Sequence, residues 1–228
     1  MLSGGRRWVC AAAVIAVPLL PIPSAAQGAI TGRIAINEKP GEKTTDFASG
    51  VVYLTAKSGS PRFTESKVQM AMNGRNFSPR VRTVTVGSTV EYPNQDPFKH
   101  NIFSTAAGAS FDLGEYGSGT KGVNKFTKAG AFPVYCNIHA KMTGFVVVVS
   151  TPWFAQASAD GRWEIARVPA GKYELHAWHE RGGEQVQQID VPATGLAMAD
   201  LAFDARGFKE QPHKNKFGKD YANAGVVY

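Results

Sequence analysis

The 228 residues are enough for one sizeable core or two small ones, and two units fit the length better. With 25 Lys and Arg against 18 Asp and Glu, the formal net charge of +7 favours an acidic partner but falls short of demanding nucleic acid. An apolar run from Trp8 to Leu20, broken by Pro18, is too short to span a bilayer, which takes about 20 residues, so a stable membrane anchor is not expected.

Residues 1–26 carry Arg6-Arg7, that apolar run and then Ser24-Ala25-Ala26, the order of a secretory signal peptide cut after Ala26. The mature protein is expected to be soluble and exported, most simply to a periplasm. Losing Arg6 and Arg7 lowers the charge from +7 to +5. Cys10 leaves with the same segment, so Cys136 remains alone in an oxidising compartment and no intramolecular disulfide can form. Such a thiol needs either burial or a metal to protect it.

From Gly28 to Ser150 the pattern is strand, turn, strand. "GAITGRIAI" and "SGVVYLTA" come first, and then "VRTVTVGSTVEY", in which Val84, Val86, Val90 and Tyr92 recur around Gly87-Ser88. Met70 and Met72 alternate on a short strand, where core packing explains them better than Cu(I) binding does. "GSGTKG", Gly117 to Gly122, matches a dinucleotide fingerprint but opens no helix, and it reads as a hairpin loop. "GVNKFTKAGAF", "FPVYC" and "GFVVVVS" follow, the last a valine run suited to a buried strand. Short antiparallel strands with frequent turns predict an all-β protein built of sandwiches.

Within that stretch "PVYCNIHAKMTG" sets Cys136, His139 and Met142 at a C-x2-H-x2-M spacing, and "DPFKHNIFS" supplies His100 from another loop. Thiolate, two imidazoles and a weak axial thioether are the donor set of blue, electron-transferring copper. Zinc would take more cysteines and no methionine. Taken singly, each residue has a plainer reading: Cys136 a buried strand end, Met142 core filler, His139 a surface histidine.

Beyond Thr151-Pro152 the strands "RWEIARV" and "KYELHAW" are set off by Asp-Gly and Pro-Ala-Gly turns, which marks a second β unit. His176 and His179 sit three apart, on opposite faces of a strand, and are read as structural or solvent-facing. Trp153, Trp163 and Trp178 are read as core in preference to an adhesion or carbohydrate surface. From residue 206 to 228 there is no apolar period, and the segment reads as a basic, weakly ordered tail that includes His213.

Two resemblances follow from these residues. Residues 81–150 resemble the blue-copper cupredoxins of plastocyanin and amicyanin type, on "VTVGSTVEYPNQDPFKHNIF" and "VYCNIHAKM". That likeness implies a Greek-key β-sandwich over about 61–150 with one type 1 copper ion held by His100, Cys136, His139 and Met142. It further implies that the Asn101 amide donates to the thiolate, that the Asn101 side chain ties the two loops, and that His139 is the electron port. The family often has Pro where this chain has Ala140. Residues 151–205 resemble a carboxypeptidase-regulatory or prealbumin-like (transthyretin-like) sandwich. Residues 28–60 either complete that second sandwich from far upstream or supply the first strands of the copper domain.

The function expected is an exported copper protein that carries single electrons between redox partners, with a copper carrier or sequestering protein as the alternative. From Val68 to Ser150 eight Lys and Arg face four Asp and Glu, so the redox partner is expected to be acidic where it docks. With no H-E-x-x-H, G-x-S-x-G or P-loop, and too few histidines for a trinuclear copper site, the chain is read as no enzyme.

Overall fold

The computed structural model describes residues 27–59, 61–198 and 200–221, and the signal-peptide reading of 1–26 lies outside them. Among these residues every regular element is a strand, apart from a single 3-10 turn at Phe47–Ser49. Among the described residues no helix is long and apolar enough to cross a membrane.

Two sheets enclose the first core. One has five strands in the order Val81–Thr85, Thr143–Val149, Gly130–Cys136, His100–Ser104, Phe111–Tyr116; the other has Lys121–Lys125, Thr89–Pro93 and Lys67–Gln69. Met70, Met72, Val84, Val90, Tyr92, Ile102, Phe126, Val134, Val146 and Val148 fill the space between them. The chain crosses from one sheet to the other at Gly87-Ser88, where Gly87 takes φ +87°. It crosses again at Gly117–Thr120, so "GSGTKG" is not a hairpin loop: the strands it joins lie in opposite sheets. Pairing is not uniformly antiparallel either. Val81–Thr85 runs parallel to Thr143–Val149, and Lys67–Gln69 runs parallel to Thr89–Pro93. Both partners in each case are distant in sequence, which is the connection parallel pairing requires.

Gln27–Asn37 pairs with Arg162–Pro169, and Val51–Ala56 pairs with Phe154–Gln156 and Gly171–His179, so residues 27–56 share their sheets with strands beyond residue 153. "RWEIARV" and "KYELHAW" therefore sit in different sheets and do not pair with each other. The first alternates cleanly, Trp163 and Ile165 in, Arg162 and Glu164 out, until a bulge sets Ala166 and Arg167 against Ala29, with Arg167 at φ +55°. At the Asp160-Gly161 turn a Cβ on Gly161 would meet the Ile34 carbonyl oxygen at 2.6 Å, which is why glycine stands there. Ile30, Ile34, Val52, Leu54, Trp163 and Phe203 lie in this second core.

A third apolar cluster joins the two halves. Val81, Val147 and Val149 meet Val51 and Trp178, whose ring centroid lies 5.3 Å from that of Phe145. His179 is buried, with Nε2 3.2 Å from the Asp46 carbonyl oxygen, and His176 stacks on Tyr53 at 4.5 Å, so both are structural.

Candidate metal centre

Strand Gly130–Cys136 ends where its antiparallel neighbour His100–Ser104 begins. Cys136 pairs with Ile102, and His100, two residues from Ile102, points to the same face. Beyond Cys136 the chain turns back at once: the Met142 amide donates to the His139 carbonyl at 3.0 Å, and the Cys136 amide donates to the Met142 carbonyl at 3.2 Å. This small loop swings His139 over the strand ends and buries Met142 in the first core.

The result is a trigonal group. Cys136 Sγ lies 3.4 Å from His100 Nδ1 and 3.4 Å from His139 Nδ1, and the three donors are within 4.8 Å of one another. A metal bonded to nitrogen and sulfur at about 2.0–2.3 Å, with angles near 110–120°, holds such atoms about 3.4–3.7 Å apart. The donors thus already stand at the spacing a metal needs. His100 and Cys136 are fully buried, whereas His139 is half-exposed beside Ile138, which is 42% exposed.

Protonation states suit the same purpose. Burial pushes the Asp96 carboxyl upward, but the amides of Arg75 (3.0 Å) and Gly74 (2.6 Å), together with His100, bring it below its ordinary value. An ionised carboxylate only accepts, so the proton of His100 sits on Nε2, 2.8 Å from Asp96 Oδ2, and Nδ1 turns a lone pair toward Cys136. His139 is pushed down to about 4, chiefly by burial and then by His100, and is neutral at neutral pH. Burial raises the Cys136 thiol despite backbone N–H groups of Ile138, Asn101 and His139 aimed at it. A metal held there would have to displace a proton, and its uptake would be linked to proton release.

Three side chains essential to this geometry were not foreseen. Asp96 is one. Asn94 is another: its Oδ1 takes the Asp96 amide and its Nδ2 donates to Phe98 O, which shapes the loop leading to His100. "NQDP" just before a histidine is the signal that could have found them. Asp112 is the third, because Asn101 Nδ2 donates to Asp112 Oδ1 at 2.5 Å. The expectation that the Asn101 side chain ties the two loops is therefore corrected: the tie is its backbone oxygen, which accepts the Asn137 amide at 2.8 Å. The tail is corrected as well. Residues up to 221 are not loose but lie across the ligand loop, where His213 Nε2 is 3.1 Å from His139 O and the Tyr221 hydroxyl donates to Cys136 O at 3.1 Å.

No protein-family model matches the chain, and neither does any curated protein. Solved structures do. A purple cupredoxin from Nitrosopumilus maritimus is 26% identical, with 36% of this chain and 99% of that one covered at a TM-score of 0.34. A reduced mutant of amicyanin is 25% identical over 42% of this chain and 99% of its own, at 0.35. The Cu-containing nitrite reductase NirK from Thermus scotoductus is 26% identical over 42% of this chain, which spans only 25% of the reductase, at 0.35. Likenesses with TM-scores this low assign no family. The reading of the chain as no enzyme is not kept, since one of the structures it is similar to is that of an enzyme, the nitrite reductase.

Proposed function

We propose that the chain is an exported, most simply periplasmic, type 1 copper protein that carries single electrons, with one copper ion held by His100, Cys136, His139 and Met142. The observation that carries this is the Nδ1–Sγ–Nδ1 triangle with 3.4 Å edges to sulfur, set on a loop that also buries a thioether. Copper in such a shell supplies a one-electron couple with little rearrangement between its two states. The protein's part is to hold the donors. Asp96 fixes the His100 ring, the strand ends fix Cys136, and the Asn101 carbonyl pins the loop at Asn137.

Half-exposed His139 is the natural port for the electron. Lys141, two residues on, and Lys99, next to His100, are both exposed, which favours a redox partner that is acidic at its docking face. Electron transfer to such a partner is expected to slow as salt rises, and salt independence would remove this part of the reading. Residues 61–150 form the copper domain, and 28–60 with 151–205 form a prealbumin-like sandwich that carries it.

The test is optical. Mature protein given Cu(II) is expected to show an intense visible thiolate-to-copper band that bleaches reversibly with a mild reductant and is missing from Cys136→Ser. A colourless native protein that still binds Cu(I) tightly would replace the electron carrier with a copper-delivery protein.

A further inference from the structure

Between the end of the second sandwich, at strand Leu201–Asp204, and Tyr221, the chain travels from one unit to the metal end of the other. Its course is pinned throughout. Glu210 pairs with Arg80, whose guanidinium also holds Glu180 of the second unit at 2.7 Å. His213 then lies on the ligand loop: its amide donates to Ala140 O at 3.0 Å, its ring stands between two carbonyls, with Nε2 3.1 Å from His139 O and Nδ1 2.9 Å from Lys214 O, and it stacks on Tyr135 at 4.4 Å.

The next residues form a tight turn closed on itself. Asn215 Oδ1 accepts the amides of Phe217 and Lys219, and Gly218 takes φ +75°. Lys216 extends from that turn, its amide donating to Asn137 Oδ1 at 2.9 Å and its ammonium pairing with Asp112. Finally, the Tyr221 ring meets His213 edge-on at 5.5 Å, and its hydroxyl reaches Cys136 O at 3.1 Å. Five consecutive residues of the loop, Cys136 to Ala140, thus offer four groups to the tail: the carbonyls of Cys136, His139 and Ala140 and the side chain of Asn137.

We infer that residues 206–221 are a strap that pre-shapes the ligand loop, with His213 and Tyr221 as positioning residues acting through the carbonyls of His139 and Cys136. The strap explains an otherwise awkward feature. A short loop with exposed Ile138 and Lys141 is seated in the core only by Cys136 and Met142 at its two ends, and the tail supplies the hold on the residues between them. The second sandwich takes part as well, since its Glu180 holds the Arg80 guanidinium that pairs with Glu210 of the strap. The metal consequence rests on the copper reading; the ordering of the loop does not.

The experiment therefore begins with metal-free protein. Hydrogen exchange of the Cys136, Asn137 and Met142 amides is compared among the native chain, a His213→Phe/Tyr221→Phe double variant that keeps the aromatic packing, and a chain ended after Phe208. Exchange at these three amides is expected to accelerate about 5- to 30-fold in the double variant, the scale of losing one to two net hydrogen bonds, and more in the shortened chain. Amides of strand Thr143–Val149 serve as the internal control and are expected to hold. In copper-loaded protein the same double variant is expected to shift the visible band and to hand Cu(I) to a chelator faster. Unchanged exchange at the three amides in the double variant would overturn the strap. A native chain without a blue band would overturn the copper reading alone, leaving the exchange result standing.

Discussion

Replacing Asp96 by Asn keeps the side chain's size and shape but removes its charge. Three bonds meet on this carboxylate: Oδ1 takes the Gly74 amide at 2.6 Å, and Oδ2 takes the Arg75 amide at 3.0 Å and His100 Nε2 at 2.8 Å. An amide has one oxygen to offer. With that oxygen toward Arg75 and His100, the new NH2 faces the Gly74 N–H; flipped, it faces two donors. Even the better orientation forfeits one bond to a charged acceptor, about 1.5–3 kcal/mol, in a site that is almost wholly buried. The surviving bond to His100 becomes neutral and holds the ring less firmly, a change that costs metal sites about 10- to 100-fold in affinity. Competition for Cu(I) against a chromophoric chelator, beside thermal melting of the metal-free form, reads both quantities. If the folded variant bound copper as tightly as the native chain, Asp96 would have no hold on the ligand and the assignment of the His100 tautomer would fail.

Other outcomes follow from the same structure. Lys121 and Lys67 hold the Glu91 carboxyl at about 2, well under its ordinary 4.5. Its stabilising effect is thus complete above pH 4.5 and is lost as pH falls from there toward 2. In Glu91→Gln the fall of melting temperature across that window is expected to flatten, and an unaltered slope would contradict this. Trp178→Ala empties the space between the two units and is expected to cost about 3–5 kcal/mol in chemical denaturation; a loss under about 1 kcal/mol would show that the interface closes up. Met142→Leu conserves volume, so the metal-free protein is expected to lose under about 1.5 kcal/mol. Its copper form is expected to keep the intense band but move in reduction potential, and an identical potential would remove Met142 from the metal's shell.

What could be read from the sequence followed a physical divide. That Cys136 and His139 would meet His100 was legible because soft donors in one loop have a chemistry that their spacing exposes and one further imidazole stood in a comparable loop, whereas the part of Met142 is left to the measurement of potential. Val146 and Val148 were legible as core from composition alone. Asp96 was harder, since an aspartate in an Asn-x-Asp-Pro turn usually serves the turn only. The strap was beyond reach: His213 and Tyr221 act on backbone carbonyls, which carry no residue-specific pattern, and a segment without apolar period gives no hint that it is held. The pairing of residues 27–56 with strands beyond residue 153 was one of two readings, reached from the resemblance to a prealbumin-like sandwich, because local propensity and turn chemistry leave the register between distant segments open.

The valine run of strand Thr143–Val149 has no outward side. Val146 and Val148 face the first core, while Val147 and Val149 are covered by the second unit. Cutting the chain to residues 61–150 would therefore bare a flat, uncharged aliphatic stripe, flanked by Val81 and Phe145, of the kind that makes separated sheets adhere to one another. The half that carries the three donors is not a bead on a string. Its neighbour keeps that stripe covered, and the copper proposal is to be tested on the whole chain.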